Sequence, residues 1–367
     1  MRYVFIVNPK AGKRGRALEW LPRIQAYFGA HPEAGEYRLH ITQAPGEATR
    51  LAKEASAEAE RTGMPLCLVA CGGDGTLMET AGGMAGGAEV RLACLPCGSA
   101  NDFIRCFGTA EEFADLDALV HGRVRMVDAI RCGQALSLNL CSMGMDADVA
   151  DKMTKYKGFP LVSGSLAYEL AIVDVFCHRI GKHLQVEMDT PEGTVRREGR
   201  YFFALAASGQ YYGGGYRGAP DAAPDDGLLD FVLIKAMPRI RIPGFLKRYK
   251  RGLHVGLDIC EVFRGTAMRV TGRESGRRVL SRPGNGLRRG AGADPLCSSA
   301  ISQKKDVAGY PAGAASHFSV CTRGVIVHRK IETVDKVSWR AGKCEEGTLT
   351  LPPRTSPPSD TTMGKIR

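Results

Sequence analysis

The chain contains no apolar run approaching the roughly 18 residues of a membrane-spanning helix. Its first apolar run, Tyr3 to Val7, is too short for the core of a secretory signal and leads straight into a motif, so the expectation is a cytoplasmic protein without a transmembrane segment. No Gly-Lys-Ser/Thr follows Gly12, and no G-x-G-x-x-G opens a helix after the first strand, which excludes a Walker loop and a Rossmann fingerprint there. Cysteine is present, with 12 residues, but Cys94 and Cys97 form a CxxC without a second pair at zinc-finger spacing. Several thiols lie inside apolar strand runs, where reduced cysteine acts as a small hydrophobe. Acidic residues are scarce only near the end. Residues 276–367 hold 16 Lys plus Arg against 7 Asp plus Glu, and residues 1–275 hold 34 against 32, so +9 of the net +11 belongs to the tail. A nearly neutral body carries no nucleic-acid footprint.

What is present is an alternation of short apolar runs with alanine-rich helical stretches. The runs Tyr3 to Val7, Leu39 to Ile41, Leu66 to Ala70 and Leu92 to Leu95 are spaced by segments such as Leu51, Ala52, Ala55 and Ala59. This rhythm predicts an α/β domain with a parallel sheet buried on both faces. Ligands of such sheets bind beyond the carboxyl ends of the strands, so the turns that follow the four runs should converge on one site.

The turn after the third run, Cys71-Gly72-Gly73-Asp74-Gly75-Thr76, is the most informative. Gly72, Gly73 and Gly75 let backbone N–H groups approach an anion closely. Asp74 repels phosphate unless a cation or a ligand hydroxyl intervenes, a condition that a metal-bound nucleotide satisfies. A tight glycine hairpin with a turn aspartate is the alternative for this stretch alone. Asn8 and Lys10 offer donors beside Gly12 in the first turn, Thr42 a hydroxyl in the second, and Gly98 with Ser99 a small N–H-exposing turn after the fourth.

From Arg123 the rhythm changes to alternating segments, Val124 to Ala129, Leu136 to Leu140, Leu184 to Met188, Tyr201 to Ala207 and Leu228 to Ile234, with one helical stretch at Leu166 to Phe176. These predict a mainly antiparallel β domain over residues 124–275 following a nucleotide-binding domain over 1–123. Gly213-Gly214-Gly215 and the acidic loop Pro220 to Leu228 combine a flexible run with carboxylates and carbonyls that hard cations favour; an exposed acidic turn before a strand is the plain alternative. After Ser275 neither period persists. Residues 276–367 read as an atypical, disordered tail, with at most an isolated strand at Val325 to Val327.

Taken in order, Asn8-Pro9-x-x-Gly12, Thr42 with Gly46-Glu47-Ala48, Gly72-Gly73-Asp74-Gly75-Thr76, Pro96-x-Gly98-Ser99-x-Asn101-Asp102-Phe103, Asn139 with Gly144-x-Asp146-Ala147, and Gly213-Gly214-Gly215 with Asp226-Gly227-Leu228-Leu229-Asp230 resemble the diacylglycerol kinase catalytic-domain family, in its soluble bacterial lipid-kinase form. The resemblance covers about residues 1–275 and extends to sphingosine kinases and, remotely, to NAD kinase and phosphofructokinase. It implies ATP-dependent phosphorylation of a hydroxyl on a diacylglycerol-like lipid. By position, Asn8, Gly12, Thr42, Gly72, Gly73, Asp74, Gly75, Thr76, Leu77, Met78 and Ser99 would bind ATP, and activity would depend most on Asp74. Asp226 with the carbonyls of Ala223 and Leu228 would hold Mg2+. The implied partners are ATP and a lipid met at a membrane surface through Phe159, Leu161 and the basic stretch Arg239 to Arg251; a homodimer is left open, and nucleic acid is not expected.

Two departures bear on activity. Met78 stands where the family usually has asparagine, and the family's Asp-Gly-Glu, whose glutamate serves as general base, does not follow Ala267 to Thr271. Glu274 is close in sequence but lacks the Asp-Gly context. The abrupt loss of pattern is what a reading-frame shift near Ser275 would produce, and it predicts a chain that binds nucleotide yet turns over poorly. The other alternative is a soluble-substrate kinase of the NAD kinase type.

Overall fold

The computed structural model describes residues 1–84, 89–132, 135–145, 148–149, 152, 156, 159, 164–178, 181–273 and 317–329. Asp146, Ala147, Leu161, Glu274 and the expected disordered stretches 276–316 and 330–367 lie outside the described residues.

Strands β1 (Arg2–Val7), β2 (Glu36–Ile41), β3 (Leu66–Gly72) and β4 (Val90–Pro96) form a parallel sheet in the order β4-β3-β1-β2. Helices α1 (Trp20–Ala30), α2 (Glu47–Thr62) and α3 (Asp74–Gly82) connect or follow these strands. Every residue of β3 is buried, because its two faces feed separate cores. Leu66, Leu68 and Ala70 pack with α2 and α3, and Cys67, Val69 and Cys71 pack with Trp20, Ile24 and Phe28 of α1. Continuous apolar runs are what such two-sided burial requires.

Short helices α4 (Ala110–Phe113) and α5 (Leu116–His121) lead into the second region. There β5 (Arg123–Cys132), β6 (Ala135–Ser137), β7 (Leu140–Gly144), β8 (Lys182–Thr190), β9 (Gly193–Ala207), β10 (Leu229–Lys235), β11 (Cys260–Gly265) and β12 (Ala267–Arg273) pair antiparallel. Helices α6 (Gly164–His178) and α7 (Ile242–Lys250) belong to a core of Phe202, Phe203, Leu205, Ala207, Val232 and Ile234. No described helix is long and apolar enough to cross a membrane.

One expectation is corrected. The stretch read as at most an isolated strand at Val325 to Val327 lies in a 13-residue strand, β13 (His317–Arg329). It pairs antiparallel with β5 and β12 and parallel with β4 at Val327, joining the two sheets into one. Local pattern could not reveal it, because the surroundings lack periodicity and its ladder partners lie about two hundred residues earlier in β5 and β4.

Candidate active site

Each parallel strand ends in a turn at the same edge, and the turns touch. The Asn8 side-chain amide donates to Thr76 Oγ1 (3.1 Å), tying the first turn to the central one. Gly12 has φ +77° and lies so close to the fourth turn that a Cβ would sit 2.3 Å from the Cys97 carbonyl oxygen. A Cβ on Gly98 would sit 2.4 Å from Gly73 Cα, while the Gly98 and Cys97 N–H groups donate to the Gly72 carbonyl. Only glycine permits two turns to approach this closely.

The second turn is held by a residue that motif reading passed over. Glu79 of α3 accepts from the N–H groups of Gly46 (3.0 Å) and Ala48 (3.2 Å), satisfying donors at the start of α2. The signal for it was indirect: a helix opening on Gly46 has no capping side chain of its own and needs an acceptor from elsewhere.

Asp74 opens α3, where a carboxylate complements the positive end of the helix dipole. Its Oδ1 accepts from the Phe103 N–H (3.1 Å), joining the central turn to the Asn101-Asp102-Phe103 turn. Asn101 takes φ +50° and brackets Gly98, donating to its carbonyl and accepting from its N–H. Asp102 reaches the other way, its Oδ2 accepting from the Gly214 N–H of the second region (2.7 Å). Only 4 % of Asp102 is exposed; Arg105 Nε stands 3.4 Å from its Oδ1, outside hydrogen-bond geometry. Burial first, then the nearby Asp74 charge, pushes the Asp102 carboxyl up to about 6.

Glycine turns and a helix N-terminus of the first region therefore meet Gly213–Gly215 of the second. Such an arrangement suits polyphosphate. Gly73, Asp74 and Gly75 are partly accessible and Ser99 is exposed. Thr42 is 8 % exposed, and its hydroxyl donates to the Val7 carbonyl. Leu77 and Met78 point elsewhere. Both are buried in the core beneath the turn, and Met78 Sδ accepts from the Leu138 N–H (3.2 Å), a contact between the two regions. Any role of these two at phosphate would fall to their backbone.

Asp226 stands in the turn that leads into β10. Its Oδ1 accepts from the Leu228 N–H (2.9 Å), and its Oδ2 pairs with Arg264. Beside it Asp128 Oδ2 accepts from the Gly227 N–H, and the buried Asp230 has an Oδ2 without a hydrogen-bond partner. Desolvation raises both carboxyls, Asp230 to about 6, and each also feels Asp226. Among the described residues no three His, Cys, Asp or Glu side chains gather closely enough to hold a metal. The residues that the resemblance assigns to a cation, the Asp226 carboxylate and the carbonyls of Ala223 and Leu228, are of the oxygen type a hard cation takes, and one buried Asp230 oxygen near them lacks a hydrogen-bond partner, while Arg264 already pairs with Asp226 and its Nε stands 3.7 Å from Asp230 Oδ1.

Residues 2–132 match the diacylglycerol kinase catalytic domain, and residues 139–294 match the YegS C-terminal NAD kinase beta sandwich-like domain, a match that runs beyond Ser275. A probable lipid kinase YegS-like of Pseudomonas aeruginosa is 34% identical over 213 residues, covering 58% of this chain and 67% of that protein. Its counterpart in Pseudomonas fluorescens is 28% identical over 284 residues, covering 70% and 89%. A crystal structure of a putative diacylglycerol kinase from Bacillus anthracis str. Sterne superposes with a TM-score of 0.60 at 16% identity, over 90% of this chain and 97% of that one; it speaks for the fold.

Proposed function

The chain belongs to the diacylglycerol kinase catalytic-domain family as a lipid kinase, and from that premise we propose that it transfers a phosphoryl group from ATP to a hydroxyl of a diacylglycerol-like lipid in the crevice between its two regions. The observation that carries this reading is the double link Asp74–Phe103 and Asp102–Gly214, which gathers three distant motifs around one opening. Phosphoryl transfer asks a protein chiefly for positioning and charge neutralisation, and the parts present are of that kind. Backbone N–H groups of Gly72–Thr76 and the exposed Ser99 hydroxyl would hold the phosphates, with Asn8 and Gly12 shaping the floor. Asp74 would orient the transferring group through a bound cation or the acceptor hydroxyl. Mg2+, when bound through Asp226 and the carbonyls of Ala223 and Leu228, would neutralise the acidic loop. A cytoplasmic location with peripheral membrane contact belongs to the same proposal.

A second reading is favoured by the missing Asp-Gly-Glu. General-base assistance is worth about 10² to 10⁴ in rate, so the chain would bind ATP and turn over near background. One experiment separates the readings: labelled ATP with magnesium and a panel of diacylglycerol, phosphatidylglycerol, sphingosine and NAD, with ATP binding measured on the same preparation. Lipid labelling supports the proposal, NAD labelling replaces it, and binding without labelling favours the second reading.

A further inference from the structure

Strand pairing sets Arg264 of β11 directly opposite Asp230 of β10, and directly opposed residues of an antiparallel pair project from the same face of the sheet. From that position the guanidinium spans two carboxylates. Its Nη2 donates to Asp226 Oδ2, and its Nε stands 3.7 Å from Asp230 Oδ1. The other Asp226 oxygen, Oδ1, accepts from the Leu228 N–H, so both oxygens of the carboxylate that the resemblance assigns to a cation are already engaged. Among the described residues no other cation pairs with Asp226 or Asp230.

One guanidinium does not balance this loop. Asp128 and Asp230 each feel the Asp226 charge, and the buried Asp230 keeps an Oδ2 without a hydrogen-bond partner. Three ionised carboxylates against one positive charge leave an excess that a divalent cation relieves. That cation and Arg264 would share Asp226, and two like charges on one carboxylate repel. Arginine cannot yield by losing its proton, since its guanidinium stays charged in proteins. It can only move, and the Arg264 side chain is 45 % exposed, so solvent is within its reach. Arg125 differs. Its Nε donates to Asp225 Oδ2 (2.8 Å), one residue before Asp226, and it pairs with neither Asp226 nor Asp230.

We propose that Arg264 is the built-in counter-cation of the acidic loop: it holds Asp226 and Asp230 together when no metal is bound, and it swings into solvent when a divalent cation takes Asp226. The loop then keeps its place with or without the ion, and ion affinity is set by the exchange rather than by the carboxylates alone. An exposed ion pair is weak and a charged hydrogen bond stronger, so displacing Arg264 lowers cation affinity without abolishing it. The proposal rests on the reading that Asp226, with the carbonyls of Ala223 and Leu228, is where Mg2+ binds; it is independent of which hydroxyl is phosphorylated.

The test is the melting temperature of the full chain in EDTA and along a MgCl2 titration at constant ionic strength, for the parent, Arg264→Gln, Arg264→Lys and Arg125→Gln. In EDTA, Arg264→Gln should melt below the parent, because Asp226 and Asp230 have lost their counter-charge. Rising MgCl2 should restore it, and the midpoint of that rise should fall at about one-tenth of the parent's concentration. Arg264→Lys keeps the charge but not the fork, and should lie between the two. Arg125→Gln removes a charge of the same sign one residue away and should move the midpoint less. An Arg264→Gln chain that melts with or above the parent in EDTA overturns the proposal, as does a midpoint shift that Arg125→Gln reproduces in full. A parent that responds to MgCl2 with the same midpoint as Arg264→Gln leaves the metal reading standing and removes the exchange. If neither chain responds to MgCl2, the metal reading falls and the exchange falls with it.

Discussion

Strand β3 is buried on both faces along its whole length, whereas β9 alternates between exposed and half-buried from Gly193 to Arg200 and becomes fully buried only from Tyr201 to Ala207. The reason is what covers them. Helices lie on both sides of β3, while the far face of β9 is covered only where the core shared with α6 and α7 begins. The crevice inherits this difference. Turns of the first region are fixed by steric contact between glycines on a doubly packed sheet, and the loop of the second region is fixed by polar links: Gly214 to Asp102, Gln210 to the Ala222 carbonyl, Arg217 to the Pro220 carbonyl and Gly227 to Asp128. Substitutions in the first wall should therefore act through shape, and those in the second through charge.

The strongest test of that contrast is a residue of the first wall that should act through chemistry alone. Asp74→Ala removes one hydrogen bond, to the Phe103 N–H, and little packing. Turnover on the responsive lipid should fall by about 10² or more, with the melting temperature nearly unchanged. Equal turnover would remove Asp74 from the mechanism.

Gly98→Ala should show the steric side. Its Cβ would meet backbone at 2.4 Å and Asn101 Oδ1 at 2.7 Å, so the turn must shift, at about 1–3 kcal/mol of stability and with weaker ATP binding. Gly214→Ala meets nothing within 4 Å and is limited by its φ of +84°, at about 1–2 kcal/mol. Denaturant melts that rank Gly214→Ala as the costlier would reverse the comparison.

In the second wall, Asp226→Ala should lower the melting temperature and abolish any rise that magnesium produces in the parent, since a cation bound only to the folded state stabilises it by mass action. The partner substitution Arg264→Ala leaves the carboxylate in place and should keep the magnesium response. A parent whose melting temperature ignores magnesium would mean that the acidic loop holds no such ion.

The smallest expected effect is a pH slope. Asp102 titrates at about 6 in the folded chain against 3.8 as the ordinary value. Between about pH 4 and 6 the folded state keeps a proton that the unfolded state has lost, so stability falls as pH rises through that window and stays lower above it. Asp102→Asn can still accept from Gly214 and carries no charge to desolvate. It should be more stable than the parent above pH 6 and level with it below about pH 4, the difference opening through the window between. An identical pH profile for the two proteins would mean that Asp102 is not strained by its burial.

The parallel βα rhythm, the switch to antiparallel strands near Arg123 and the glycine turns were legible in the order of residues, because each depends on side chains a few residues apart: an apolar run, then Gly72-Gly73-Asp74-Gly75 or Gly98-Ser99 where the backbone must bend sharply. Tertiary structure alone decided which motif residues face the crevice. Met78 belongs to the same motif as Asp74, yet it is buried against Leu138, 60 residues away, and Asp102 is defined by Gly214, 112 residues away. It also decided that β13 closes the sheet between β4 and β12. Burial and hydrogen-bond partnership are properties of pairs brought together by the whole chain, and a carboxylate or thioether takes its role from what surrounds it rather than from its neighbours in sequence.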